Sequence, residues 1–181
     1  MSERTVESRR KAWKGLAGGL AGGIAATVVM TQLQNLWSKA PEWAQPKREE
    51  GRRPGQEEEQ EDATMKAAGK VAGLAGQQLS RETRKKAGPA VHYGFGTAMG
   101  AVYGLGKEKA PRALRKMNAP ASGLAFGTVL FIAADEFAVP ALGLSSKPSE
   151  TPLSTHIYEL AGHLVYGLTM GGVHSLVRRA L

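Results

Sequence analysis

The sequence contains no cysteine, so neither a disulfide framework nor a thiolate metal site can form. No aromatic-basic interleaving and no nucleic-acid-binding motif are present, so the net charge of +8 does not point to a nucleic acid partner. No Ser-His-Asp or other nucleophile arrangement is legible, so the chain reads more as a non-enzyme than as an enzyme, with a metal-dependent membrane enzyme left open. The most informative scarcity is local. Nearly all the strongly polar sequence lies in the N-terminal tail, in residues 38–86, in residues 107–118 and at the C-terminus. Between them lie four long stretches with few or no charges. With 181 residues the chain fits a single domain, 1–181.

The first stretch, Gly15 to Trp37, is 23 residues without a charge. As a helix it is about 34 Å long, enough to cross a bilayer core of about 30 Å. Trp13 and Trp37 bracket it, as interfacial aromatics do. With the stretches at 87–106, 119–144 and 155–177, it predicts an all-α fold, a four-helix transmembrane bundle with the lipid bilayer as its surroundings. The 23 glycines fit this reading. Gly18 and Gly22, Gly96 and Gly100, Gly123 and Gly127, and Gly167 and Gly171 are each four apart, the spacing that lets helix backbones approach closely in lipid. A soluble Gly/Ala-rich bundle is the alternative, but four spans of bilayer length are unusual in a soluble chain this short. A signal peptide is the rival for the first stretch, with a basic segment ending at Lys14 and Ser38-Lys39-Ala40 as a small-residue cleavage site. Its length and its polar end (Thr31, Gln32, Gln34, Asn35) favour a retained helix.

Orientation follows from basic residues in short loops. Arg4, Arg9, Arg10, Lys11 and Lys14 precede the first helix; Lys107, Lys109, Arg112, Arg115 and Lys116 lie between the second and third; Arg178 and Arg179 follow the fourth. With four spans these fall on one side, which places the N and C termini in the cytoplasm. Arg84, Lys85 and Lys86 argue the other way but belong to a long loop. In that loop, 38–86, the charged segment 41–61 is too poor in apolar residues to fold alone and could serve as a partner's docking segment. Met65, Ala68, Ala72, Ala75 and Leu79 then recur at helical spacing and predict an amphipathic helix over about 62–82.

Polar groups sit inside the apolar stretches. His156, Glu159 and His163 fall on one face of the fourth helix, with Glu159 ~5 Å and His163 ~10 Å deeper than an interfacial, secondary His156. His174 shares the face but lies ~27 Å from His156. His92 opens the second helix, Asp135 and Glu136 lie in the outer half of the third, and Gln32 lies in the outer half of the first. All four helices thus bring polar groups to a similar depth. Asp135 and Glu136 point about 100° apart on an α-helix, so only one of them should face the centre fully. Ionisable residues in membrane helices face the bundle interior or a cavity. Three roles stay open: a structural polar cluster that fixes packing, a proton- or ion-linked site, or a divalent metal site of His92, His163 and Glu159 with Asp135 or Glu136. The spacing H-x2-E-x3-H matches no standard metal motif, so no cofactor is expected on sequence grounds. Without such chemistry, the protein would be a structural or accessory subunit binding itself or a membrane-complex partner through its glycine faces and loop.

His92 with Tyr103, Gly123-Leu124 with Gly127, Pro140, Gly143 and Leu144, and Glu159 with Gly162-His163-Leu164-Val165 and Arg178-Arg179 give the chain a family resemblance. It resembles the YagU-like family of small bacterial inner-membrane proteins, over roughly residues 15–37 and 87–179. The charged segment 41–61 has no counterpart there, and at Asp135 a relative can carry histidine. The resemblance implies a multi-pass inner-membrane protein linked to acid resistance, without an enzymatic activity to transfer.

Overall fold

The helices begin and end where the backbone is capped rather than where apolar sequence begins and ends. The computed structural model describes residues 3–41 and 61–181, and these are helical with no strand among them. The charged segment 41–61 lies almost wholly outside the described residues. Helix α1 spans Glu3–Trp37 and so starts in the basic tail, where Lys11 and Glu7 pair one turn apart at 2.6 Å. Helix α2 covers Ala63–Leu74, with the Asp62 carboxylate accepting from the Met65 N–H at 2.8 Å. The helix expected to reach residue 82 stops there because Gly76 takes φ +72°. The Gly76 and Gln77 N–H groups fold back onto the carbonyls of Gly73 and Ala72, a Schellman stop. Ser80 then caps a new helix, α3, Arg81–Lys109, which starts well before residue 87.

A short α4, Arg112–Arg115, leads to α5, Ala119–Phe131. The chain continues as a π-helix over Ile132–Ala138 and a last turn, α6, Val139–Ala141. Pro140 accounts for the wide turn. It has no N–H for the Glu136 carbonyl, and its ring would clash with that carbonyl in a regular α-helix. The Val139 N–H instead donates to the Ala134 carbonyl, five residues back. Gly143, at φ +65°, ends the segment. A 3₁₀ turn at Pro148–Glu150 precedes α7, Leu153–Ala180.

Helix α1 packs against α3 and α7, and α7 packs against α5. All three contacts are antiparallel and run through glycine. A Cβ on Gly23 would stand 2.7 Å from the Gly96 carbonyl oxygen, one on Gly22 2.8 Å from that of Met170, and one on Gly171 2.6 Å from that of Ala119. Gly18 meets His174, Gly100 meets Gly19 and Gly23, Gly123 meets Gly167, and Gly127 meets the His163 carbonyl. Each named glycine therefore faces a neighbouring helix of its own chain. Between the helices sit Met170 and Thr27, both almost fully buried. The Tyr166 hydroxyl donates to the Gly96 carbonyl at 2.5 Å and ties α7 to α3.

Two helical segments, Val6–Trp37 and Ala119–Ala141, are long and apolar enough to cross a membrane. Helices α3 and α7 reach 29 and 28 residues, but their Gly, Tyr and His content makes them less apolar. At the end bearing the termini of α1 and α7, Arg178 donates to Glu108, through Nε to Oε1 and at 3.1 Å to Oε2. That bond holds the Arg178 guanidinium above its ordinary pKa. Glu108 is buried and Arg178 is not. Arg178→Ala is therefore expected to strand a buried carboxylate and cost about 1.5–3 kcal/mol. A lowered thermal midpoint in detergent would show this; an unchanged one would mean that the pair contributes nothing.

Candidate functional site

The opposite end of the helices, where the Trp37 and Tyr158 rings meet edge to face at 5.1 Å, contains a cavity of about 510 Å³. Its wall includes Gln34 of α1, His92 of α3, Asp135 and Glu136 of the π-helix, and His156, Glu159 and His163 of α7. Ala63, Thr64 and Ala67 of α2 complete it, and Lys70 fastens α2 across the end of α6 by donating to the Leu142 carbonyl at 2.6 Å. The remaining wall is largely apolar, including Met30, Phe95, Leu130 and Val139.

Five expected residues, His92, Asp135, Glu136, Glu159 and His163, are brought to this one cavity. Gln32 is not. It is exposed, and Gln34 takes its place, because residues two apart on a helix point to nearly opposite sides. His174 is buried far from the cavity, its ring edge against Tyr103 at 5.2 Å. Asp135 and Glu136 both line the cavity, Asp135 beside the buried His163 and Glu136 beside the less buried His156 of α7. A ladder of i→i+5 bonds has more residues per turn than an α-helix, so adjacent side chains diverge by less than 100°. Both carboxylates reach the cavity wall and find different histidines.

His156 Nδ1 lies 2.5 Å from Glu136 Oε1, and its Nε2 lies 3.1 Å from the Pro148 carbonyl oxygen. A carbonyl only accepts, so Nε2 carries a proton and Nδ1 faces the carboxyl. One further proton must then lie in the Nδ1···Oε1 contact, either on the ring or on Glu136. His163 is only 7% exposed. Its Nδ1–H donates to the Glu159 carbonyl at 3.0 Å, and Asp135 Oδ2 lies 3.3 Å from the same nitrogen. The His92 Nε2 atom is buried with no hydrogen-bond partner among the described residues.

Metal-ligating atoms converge on a different set from the one expected. The trio is Glu136, His156 and Glu159, whose ligand atoms lie within 4.8 Å of one another. His92 and His163 are not part of it. Sequence reasoning ranked His156 last because helix depth alone placed it at the interface. The 3₁₀ turn and the π-helix, neither visible as periodicity, are what meet it there.

The fold and this site define an all-helical protein with a pair of membrane-length apolar helices and a His/carboxylate cavity. The chain belongs to the family described as DUF1440, a protein of unknown function, whose model matches residues 42–171. That match takes in the charged segment 42–61 and leaves out α1, whereas the YagU-like resemblance covers 15–37 and 87–179. No curated protein and no solved structure matches the chain.

Proposed function

We propose that α1, α3, the α5–α6 segment and α7 all cross a bacterial inner membrane, with both termini in the cytoplasm. We propose further that the protein couples protons to movement of a cation through the cavity. The carrying observation is the pair of His–carboxylate contacts, His156 with Glu136 and His163 with Asp135, side by side on one cavity wall. The His156–Glu136 contact is a hydrogen bond whose proton can pass between ring and carboxyl, Asp135 stands 3.3 Å from His163 Nδ1, and Glu159 lies beside them as a further acceptor.

Several features support the membrane reading. The basic loops lie at one end, where Glu108 touches both Gly15 and Arg178. The cavity lies at the other. Leu20, Ile24, Val129, Phe137, Ile157 and Leu168 are exposed on the outward faces of the helices, a pattern that water penalises and lipid accepts. The YagU-like resemblance, with its link to acid stress, points the same way.

The test is reconstitution into liposomes carrying an internal pH-sensitive dye, followed by an acid pulse outside. The expected result is acidification several-fold faster than in protein-free vesicles. Rates equal to those of protein-free vesicles would remove the proposal.

A further inference from the structure

Glu136, His156 and Glu159 offer two oxygens and one nitrogen from two separate elements, the π-helix and the first turns of α7. Ligands ~2.1 Å from a common ion stand at most ~4.2 Å apart. A spread within 4.8 Å is therefore closed by small side-chain rotations. His156 has the orientation that metal-bound histidines show. One ring nitrogen donates to a backbone carbonyl, that of Pro148, and the other points at the carboxylates. His156 and Glu159 are three apart on α7 and share a face. Glu136 joins them because the π-helix turns its side chain to the same wall.

We infer that these three residues bind one divalent first-row transition ion, of which Zn²⁺ and Mn²⁺ are the representatives to test. Charge supports this. Two carboxylates in an apolar wall carry a desolvation cost, and a divalent ion that displaces the proton shared by His156 and Glu136 makes the set neutral. Donor type narrows the ion. No thiolate is present for a copper(I) site, and three ligands with one imidazole fall short of the six to eight oxygens of Ca²⁺. Three protein ligands leave a coordination position open toward the cavity, where an ion enters and leaves. The inference rests on the reading of this cavity as cation-handling and names the class of cation.

The experiment uses the full-length, tag-free protein, stripped with chelator and then titrated with ZnCl₂ and MnCl₂ by calorimetry, with bound metal counted by elemental analysis. The expected result is one equivalent of metal per chain. Glu136→Gln and His156→Ala should each weaken binding by more than ~100-fold, beyond the ~10–100-fold of a lost outer contact. Helical circular dichroism on each variant verifies that it has folded. If a variant does not fold, Glu159→Gln replaces it. No stoichiometric binding by the wild-type chain overturns the inference, as does unchanged binding in folded variants. Vesicle acidification measured on the same preparations, with and without added ZnCl₂ or MnCl₂, separates the two readings. Proton flux without metal binding removes the ion assignment alone, and metal binding without flux removes the movement alone.

Discussion

Gly100→Leu is expected to eliminate monodisperse, folded protein in detergent, the largest effect of any single change considered. A Cβ at this position would stand 2.6 Å from the Cα of Gly23 and press on the Gly19 carbonyl oxygen. Both obstacles are backbone, so no rotamer change relieves them, and α1 and α3 must separate. Overpacking against movable side chains costs about 1–3 kcal/mol. Here the cost should reach the top of that range or exceed it, because the Gly23–Gly96 contact and the Tyr166 bond to the Gly96 carbonyl are displaced together. Gly94 supplies the control, since a Cβ there meets nothing within 4 Å. Gly94→Leu should leave the thermal midpoint nearly unchanged. If both variants elute and melt alike, close backbone contact does not hold these helices.

Asp135→Asn is expected to abolish proton flux while leaving the fold as stable as before or more so. Asn keeps the shape of Asp135 and an oxygen facing His163 Nδ1, now 3.3 Å from Asp135 Oδ2, but it cannot carry the proton. A carboxylate within a membrane helix costs about 2.5–3.5 kcal/mol on insertion scales. Removing it should therefore raise stability by up to ~2 kcal/mol, discounted because the Asp135 side chain is 26% exposed. Residues kept for function at the expense of stability behave this way. Thermal midpoint and vesicle acidification measured on the same preparation decide the matter. A lower midpoint with unchanged flux would mean that Asp135 is a packing device and that the cluster performs no transfer.

Long-range placement was the legible part of this chain. Gaps in charge marked the helices, and the end at which basic loops fall, together with helical rise, set the height of each polar residue along its helix. That is why His92, Asp135, Glu136, Glu159 and His163 could be brought to one place from sequence. Local backbone departures were not legible. The extra residue per turn around Asp135 leaves no mark on apolar periodicity, although Pro140, placed to obstruct the Glu136 carbonyl, was a signal that could have been read. His156 gained its partners from a proline turn eight residues earlier and from another helix. Spacing within α7 contains neither. Gln32 and Gln34 differ only in rotation about α1, and a polar run gives no phase to choose between them. The stop at Gly76 was overlooked because Leu79 continued the apolar spacing beyond it.

The short helix that completes the cavity wall has a consequence for timing. α2 has 12 residues, a length at which an isolated helix is marginal in water. It is buried only through Met65 and Ala68, and Leu74 at its end is 90% exposed. One lysine-to-carbonyl bond, Lys70 to Leu142, fastens it across the cavity. Its free energy of local opening should be well below that of α1 or α7. Amide hydrogen exchange will then run faster through residues 63–74 than through α1 or α7. The α2 side of the cavity wall is thus the part expected to open first, by release of a helix of about three turns held across the cavity by one lysine.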